Sequence, residues 1–193
     1  LSTLKDLDGV EGQFKTLVDN YQGSRLNSPN DLTIAKDGNI FFTDPPFGFF
    51  DLKNFKFVDN EMRELDFNGV YKFSPSSKKL SLVTSEIDLP NGIAISPNQK
   101  TLYVNKMGML DNHPKIMKIN LDTQEIETFF DGKEISKKLD GNFDGIKVHS
   151  SGLVFSSGPG GLLIISPEGK LMGKIDFGHI TNCAFDFKED YLY

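Results

Sequence analysis

Four polar side chains of this sequence stand at the start of one repeated pattern and share the chemistry of oxygen ligands. Each is an amide or a carboxylate directly before a short apolar segment, and the four are Asn30, Asn91, Asp144 and Asn182. Ca²⁺ takes roughly 6–8 oxygen ligands in flexible geometry, whereas Zn²⁺ prefers His or Cys. Amide oxygens with one carboxylate therefore predict a divalent cation, with Ca²⁺ first and Mg²⁺, Mn²⁺ and Zn²⁺ as alternatives.

A purely structural explanation competes with this interpretation. Asn and Asp often start strands after loops, where the side chain accepts a hydrogen bond from the nearby backbone. That explanation is weakest for Asn30, Asn91 and Asp144 taken together, and it stays open at Asn182. Among the three histidines, only His179 is close enough in sequence to Asn182 to line a channel with it.

The pattern behind these residues is an internal repeat. Each copy has the polar residue, a short apolar strand, a polar turn and a second apolar strand, and the copies cover residues 30–44, 91–105, 144–157 and 182–193. Turn residues such as Asp37-Gly38 and Ser151-Gly152 suit the tight connections of β-hairpins. A second hairpin is predicted after each of the first three copies, over residues 69–84, 115–130 and 161–175.

Units of four short strands in series are typical of β-propeller blades. We therefore predict an all-β protein, a β-propeller with about three complete blades and parts of two more, as a single partial domain over residues 1–193. Gln13–Val18 would end a preceding blade, and Lys133–Leu139 would form one helical turn at most. A β-sandwich explains the strand lengths but not the repeat. Because the first strand of each blade lies nearest the axis, the four polar residues should converge at the mouth of the channel.

Composition excludes several classes of function. The net charge of −6 argues against a nucleic-acid partner. No run of roughly 18 apolar residues is present, so no membrane span is predicted. The single cysteine, Cys183, excludes an internal disulfide and reads as a buried structural thiol. The chain starts at Leu1 and ends within a repeat, so we expect a fragment, with a cytoplasmic location slightly favoured and a signal peptide left open.

An ordered set of motifs gives the chain a family resemblance. It resembles the gluconolactonase / SMP-30 / luciferin-regenerating-enzyme family of six-bladed propellers from about Asp19 onward. The motifs are Asn27-Ser-Pro-Asn-Asp31, Phe42-Thr-Asp-Pro-Pro-Phe-Gly48, Leu89-Pro-Asn-Gly-Ile-Ala-Ile-Ser-Pro97, Thr101-Leu-Tyr-Val104, Phe143-Asp-Gly-Ile-Lys147, Gly158-Pro-Gly-Gly161 and Thr181-Asn-Cys-Ala-Phe185.

The resemblance implies a role for each matching residue. It implies that Asn91 and Asp144 bind a divalent metal, that Asp144 also acts as the acid/base group, and that Asn30 contacts water or substrate. It implies hydrolysis of sugar-acid lactones or related esters, and therefore a small-molecule lactone or ester as the partner. The family's remaining ligand is a glutamate that would precede Leu1, and Glu11, predicted in an outer hairpin turn, does not replace it. Some relatives carry an Arg where this chain has Ser28.

Several alternatives stay open at this point. The chain could belong to a non-enzymatic propeller that binds a peptide or protein partner, or to a related aryl-ester or phosphotriester hydrolase. Asp44 could support the site or cap a turn. The aromatic loop Phe47–Phe57 could be a lid over the substrate or pack across the neighbouring blade.

Overall fold

A computed structural model describes residues 4–5, 11–12, 16–58, 61–111 and 113–193. Two short antiparallel strand pairs come first. In one, β1 (Leu4–Lys5) pairs with β2 (Glu11–Gly12); in the other, β3 (Asn20–Tyr21) pairs with β4 (Ser24–Arg25). The predicted hairpin near Glu11 is present, but Glu11 lies in its second strand rather than in the turn, which falls outside the described residues. The predicted strand at Gln13–Val18 is wrong for residues 16–18, which are not in a strand, and residues 13–15 lie outside the described part.

Blade I is a four-stranded antiparallel sheet. Its strands, in spatial order, are β5 (Leu32–Ile34), β6 (Ile40–Asp44), β9 (Gly69–Ser74) and β10 (Lys79–Thr84). The connection between β6 and β9 carries a 3-10 turn (Phe47–Phe49) and a small hairpin of β7 (Phe50–Asp51) and β8 (Lys56–Phe57). This connection occupies the same end of the sheet as the start of β5, because β6 runs antiparallel to β5.

Blades II and III repeat the same meander. Blade II has β11 (Pro90–Ile95), β12 (Thr101–Lys106), β13 (Lys115–Asn120) and β14 (Ile126–Asp131) in spatial order. A short helix, α1 (Lys133–Ser136), leads toward blade III, which has β15 (Ile146–Val148), β16 (Val154–Gly158), β17 (Gly161–Ile165) and β18 (Leu171–Ile175). The predicted second hairpins and the single helical turn are therefore confirmed.

Apolar side chains from facing sheets hold successive blades together. Alternate residues of a strand point to opposite faces, so each sheet can pack on two neighbours. One buried cluster joins blades I and II through Phe41, Ile93 and Leu102. Another joins blades II and III through Tyr103 and Ile146, among others. The first strands lie side by side as a result, since β11 packs against both β5 and β15.

The far side of blade I carries a third cluster, formed by Phe42, Tyr71 and Phe73 with Leu26 and Leu65. Beyond blade III the chain starts a further unit, in which Phe185 and Leu192 form an isolated antiparallel bridge.

The architecture is that of a β-propeller, with the first strand of each blade innermost. In the described part of the chain, no helix has the length and apolar character needed to cross a membrane.

Candidate metal centre

The side chains predicted to converge do so. A pocket of about 210 Å³ at the start of the innermost strands is lined by seven residues. They are Asn30, Asp31, Asn91, Asp144, Gly145, Thr181 and Asn182. His179 is not among them and is solvent-exposed. The repeat thus brings four predicted residues together, and the structure adds Asp31.

Hydrogen bonds between consecutive blades hold the backbone of the residues that line the pocket. Gly92 N–H donates to the carbonyl oxygen of Asp144 over 2.9 Å, and Gly145 N–H donates to the carbonyl oxygen of Thr181 over 2.6 Å. On the other side, Thr43 donates its hydroxyl to the carbonyl oxygen of Asn91 over 2.7 Å. Each blade therefore positions the first residues of the next one.

Two aspartates give the pocket its charge, and they are held in different ways. The Asp31 carboxylate accepts N–H bonds from Leu32 (2.9 Å) and, across the blade boundary, from Ile93 (3.1 Å). Burial raises the pKa of Asp144 above its usual range, the charge of Asp31 adds to that rise, and a hydrogen bond from the Asn91 amide opposes it. Within the described residues neither aspartate forms an ion pair.

Asn91 contributes a buried oxygen that lacks a donor. Its side chain is 3% exposed, and its Oδ1 has no hydrogen-bond partner among the described residues. The Nδ2 group of the same amide faces Met107 Sδ at 3.7 Å. A buried acceptor without a donor costs on the order of 1–3 kcal/mol, so this oxygen calls for a positively charged or hydrogen-bonding occupant.

The two exposed amides of the pocket, Asn182 and Asn30, differ in the hydrogen bonds that their side chains make. Asn182 is exposed, and its Oδ1 accepts bonds from Cys183 N–H (2.9 Å) and Lys147 Nζ (3.2 Å). Asn30 is also exposed, and its side chain makes no hydrogen bond within the described residues. Asn30 is therefore free to contact a molecule in the pocket, whereas the local backbone bond at Asn182 agrees with its structural explanation.

Asp44 supports the loop that leads to Asn30. The side chain is fully buried, and its two oxygens accept N–H bonds from Asn27 (2.8 Å) and Ser28 (2.7 Å). Burial raises the pKa of Asp44 to about 6, while these two bonds and the charge of Arg63 act in the opposite direction. Asp44 does not line the pocket, so its contacts fit a loop-holding role.

Ser28 anchors the aromatic loop. Its hydroxyl donates to the carbonyl oxygen of Pro45 over 3.0 Å and accepts the Gly48 N–H over 2.9 Å. The loop then folds on itself, because Phe50 packs edge-to-face on both Phe55 and Phe57. Phe55 is still 69% exposed. The aromatic contacts of Phe50 are therefore made within the loop, which forms a small hairpin on the same side of blade I as the pocket.

The donor set suits a hard cation. Among the described residues no group of three His, Cys, Asp or Glu side chains lies close enough to hold a metal ion. A cation here would depend on amide oxygens, and the buried Oδ1 of Asn91 beside the Asp144 carboxylate provides a mixed pair of that kind. The residues present therefore fit a Ca²⁺-type ion, although they supply fewer oxygens than such an ion takes.

Comparison with known proteins agrees with the fold. The chain is similar to the β-propeller domain of a protease from Pyrococcus furiosus, with 11% identity, a TM-score of 0.52 and coverage of 88% of this chain and 48% of that one. That likeness shows the propeller fold alone.

The likeness to gluconolactonases is stronger. The chain is 34% identical to a gluconolactonase of Zymomonas mobilis over 97% of its own length and 53% of that protein's. A solved gluconolactonase structure from Xanthomonas campestris has a TM-score of 0.78 at 34% identity and is matched over 98% of this chain and 60% of that one. Residues 3–193 match the family described as the SMP-30/gluconolactonase/LRE-like region, and the chain belongs to this family. It spans somewhat more than half the length of these two relatives.

Proposed function

We propose that the full-length protein is a metal-dependent lactonase of the gluconolactonase type, and that residues 1–193 are part of its single propeller domain. The observation that carries the proposal is the junction of the unpartnered Asn91 oxygen and the Asp144 carboxylate in one pocket. The 34% identity to gluconolactonases supports the choice of reaction. From the family resemblance we expect a glutamate outside these residues as a further ligand.

The residues divide the chemistry among them. Asn91 and Asp144 would bind the cation, which supplies a positive charge that polarises a lactone carbonyl. Asp144 accepts the proton of the attacking water, a role that requires its ionised form. Asn30 donates to or accepts from the substrate without adding charge, and its side chain makes no competing hydrogen bond to any residue that the structure describes. Asp31 adds negative charge to the pocket and therefore favours cation binding.

A second candidate is hydrolysis of aryl or other apolar esters by the same centre. The exposed Leu52 and Phe55 on the loop anchored by Ser28 favour it, because they offer apolar surface on the pocket's side. Lactones with and without apolar substituents, and aryl esters, therefore belong in one substrate panel.

The test is a comparison of variants of the full-length protein. Asp144→Ala should abolish Ca²⁺ binding, measured by calorimetry, and lactone hydrolysis, measured by pH-stat with Ca²⁺ or Zn²⁺. Asp37→Asn, in the exposed turn at the opposite end of blade I, is the matched control and should leave both unchanged. Full turnover and full Ca²⁺ binding by Asp144→Ala would refute the assignment. Binding of a protein partner without any hydrolysis would favour a non-enzymatic propeller.

A further inference from the structure

Asn105 is a buried amide of blade II whose hydrogen bonds reach into blade III. It is the last but one residue of β12, and its side chain is 0% exposed. Its Nδ2 group donates to the carbonyl oxygen of Asp144 over 2.7 Å and to Ser156 Oγ over 3.0 Å. Both amide hydrogens are therefore used across the blade boundary.

Asp144 needs such contacts because no strand ladder holds it. Residues 140–145 form neither helix nor strand. The backbone N–H of Asp144 donates to Ser157 Oγ over 3.0 Å, and its carbonyl oxygen accepts from Gly92 N–H and from Asn105. Two of these three bonds come from blade II, the blade that carries Asn91.

The position of the Asn105 side chain also has a cost in stability. Its Oδ1 is buried and has no hydrogen-bond partner among the described residues. A Leu or Val at this site would carry no unpartnered oxygen and would avoid that cost. A half-satisfied buried amide is therefore hard to explain by stability alone, whereas its short bond to Asp144 gives it a use.

We propose that Asn105 is a positioning residue that fixes the distance between Asn91 and Asp144, and so sets the affinity of the pocket for a divalent cation. The inference rests on the proposed metal centre. Asn105 does not line the pocket and touches no substrate; it acts through the backbone of Asp144. Outer partners of this kind typically change metal affinity by roughly 10–100-fold.

The experiment is Ca²⁺ titration of the full-length, chelator-treated protein by isothermal calorimetry. Asn105→Leu keeps the branched shape of the side chain but removes both donors, and we expect its Kd for Ca²⁺ to rise about tenfold or more. Ile119→Ala truncates the core of the same sheet without touching Asp144 and controls for general destabilisation. Its Kd should stay within about twofold of the wild-type value. Unfolding of the Ca²⁺-free proteins, followed by circular dichroism, verifies that both variants are folded.

Each outcome decides the inference. A Kd of Asn105→Leu within twofold of wild type overturns it and leaves the metal centre standing. Absence of Ca²⁺ binding by the wild-type protein overturns both. If Asn105→Leu does not fold, Asn105→Ser takes its place, because a serine hydroxyl is too short to reach Asp144, and the same tenfold rise is expected. At saturating Ca²⁺, a lower kcat with an unchanged KM further separates positioning of Asp144 from loss of substrate contacts.

Discussion

Three carboxylates, those of Asp31, Asp144 and Asp44, define the chemistry of this chain at the scale of single residues. The Asp31 carboxylate accepts hydrogen bonds from two backbone N–H groups, and Asp144 lies beside it in a half-buried position. The charge of Asp31 adds to the rise that burial causes in the pKa of Asp144, and a cation bound between the two carboxylates would oppose that rise. Asp44, deeper in blade I, has a pKa of about 6, because burial outweighs its two backbone N–H bonds and the charge of Arg63.

The raised pKa of Asp44 predicts a pH-dependent stability. A carboxyl whose pKa is higher in the folded than in the unfolded protein binds a proton more tightly when folded, so its contribution to stability increases as pH falls. With pKa values of about 6 folded and 3.8 unfolded, the free energy of unfolding should gain on the order of 1 kcal/mol between pH 7 and pH 5. Asp44→Asn should lack this gain.

Urea unfolding of the full-length wild type, Asp44→Asn and Asp37→Asn at several pH values between 5 and 7 measures the difference. Asp37 is exposed and its pKa is lowered by bonds from Asn39, so its replacement leaves this pH window unaffected. Equal slopes in all three proteins would show that Asp44 is not the group that titrates.

The sequence alone predicted the site residues that recur at one position of the repeat, and it missed the site residue that does not recur. Asn30, Asn91 and Asp144 occupy one position of the repeat, so their convergence followed from the fold. Asp31 was missed because the next position of the repeat is Asp, Gly, Gly and Cys in the four copies, which hides its role. Two signals could have found it: its position next to a predicted site amide and its place in the motif Asn27-Ser-Pro-Asn-Asp31.

At the scale of elements, the site depends on how closely one innermost strand approaches the next. The backbone of β11 contacts the segment before β15 at Gly92. A side chain is excluded there, because a Cβ atom on residue 92 would overlap the carbonyl oxygen of Asp144. The strand pattern was predictable from alternation and turn residues. This close approach was not, because it depends on the packing of two blades rather than on either sequence segment.

Gly92→Ala should therefore displace Asp144 relative to Asn91. We expect the free energy of unfolding to fall by about 1–3 kcal/mol, as for other overpacked sites, and Ca²⁺ affinity to fall with it. Gly173→Ala is the matched control, since a Cβ atom at that strand position meets nothing within 4 Å. Chemical denaturation and calorimetry of both variants measure the two effects. Equal stability of the two variants would mean that the blades can separate without cost.

At the scale of the whole molecule, blade I leaves an apolar face exposed. Leu32 and Ile34 of β5 are 54% and 61% exposed, on the side away from blade II. Leu32 pairs with Phe42, and a groove lined by Leu26, Phe42 and Phe73 runs beside it. Because this chain covers only 53% and 60% of the two gluconolactonases, we expect a further blade to cover this face in the full-length protein.

Ile34→Lys in the full-length protein tests that expectation. If a blade packs on β5, the substitution removes roughly 1.5–3 kcal/mol of apolar burial and adds the cost of placing an ammonium group in the interface. We expect an unfolding free energy at least about 3 kcal/mol below wild type, measured by denaturant titration. Leu110→Lys, at an equally exposed apolar position on the loop after β12, should change it by less than about 0.5 kcal/mol. Equal stability of the two variants would show that the face meets solvent in the full-length protein. The two positions are equally exposed in this chain, so they should differ only if a further blade covers Ile34.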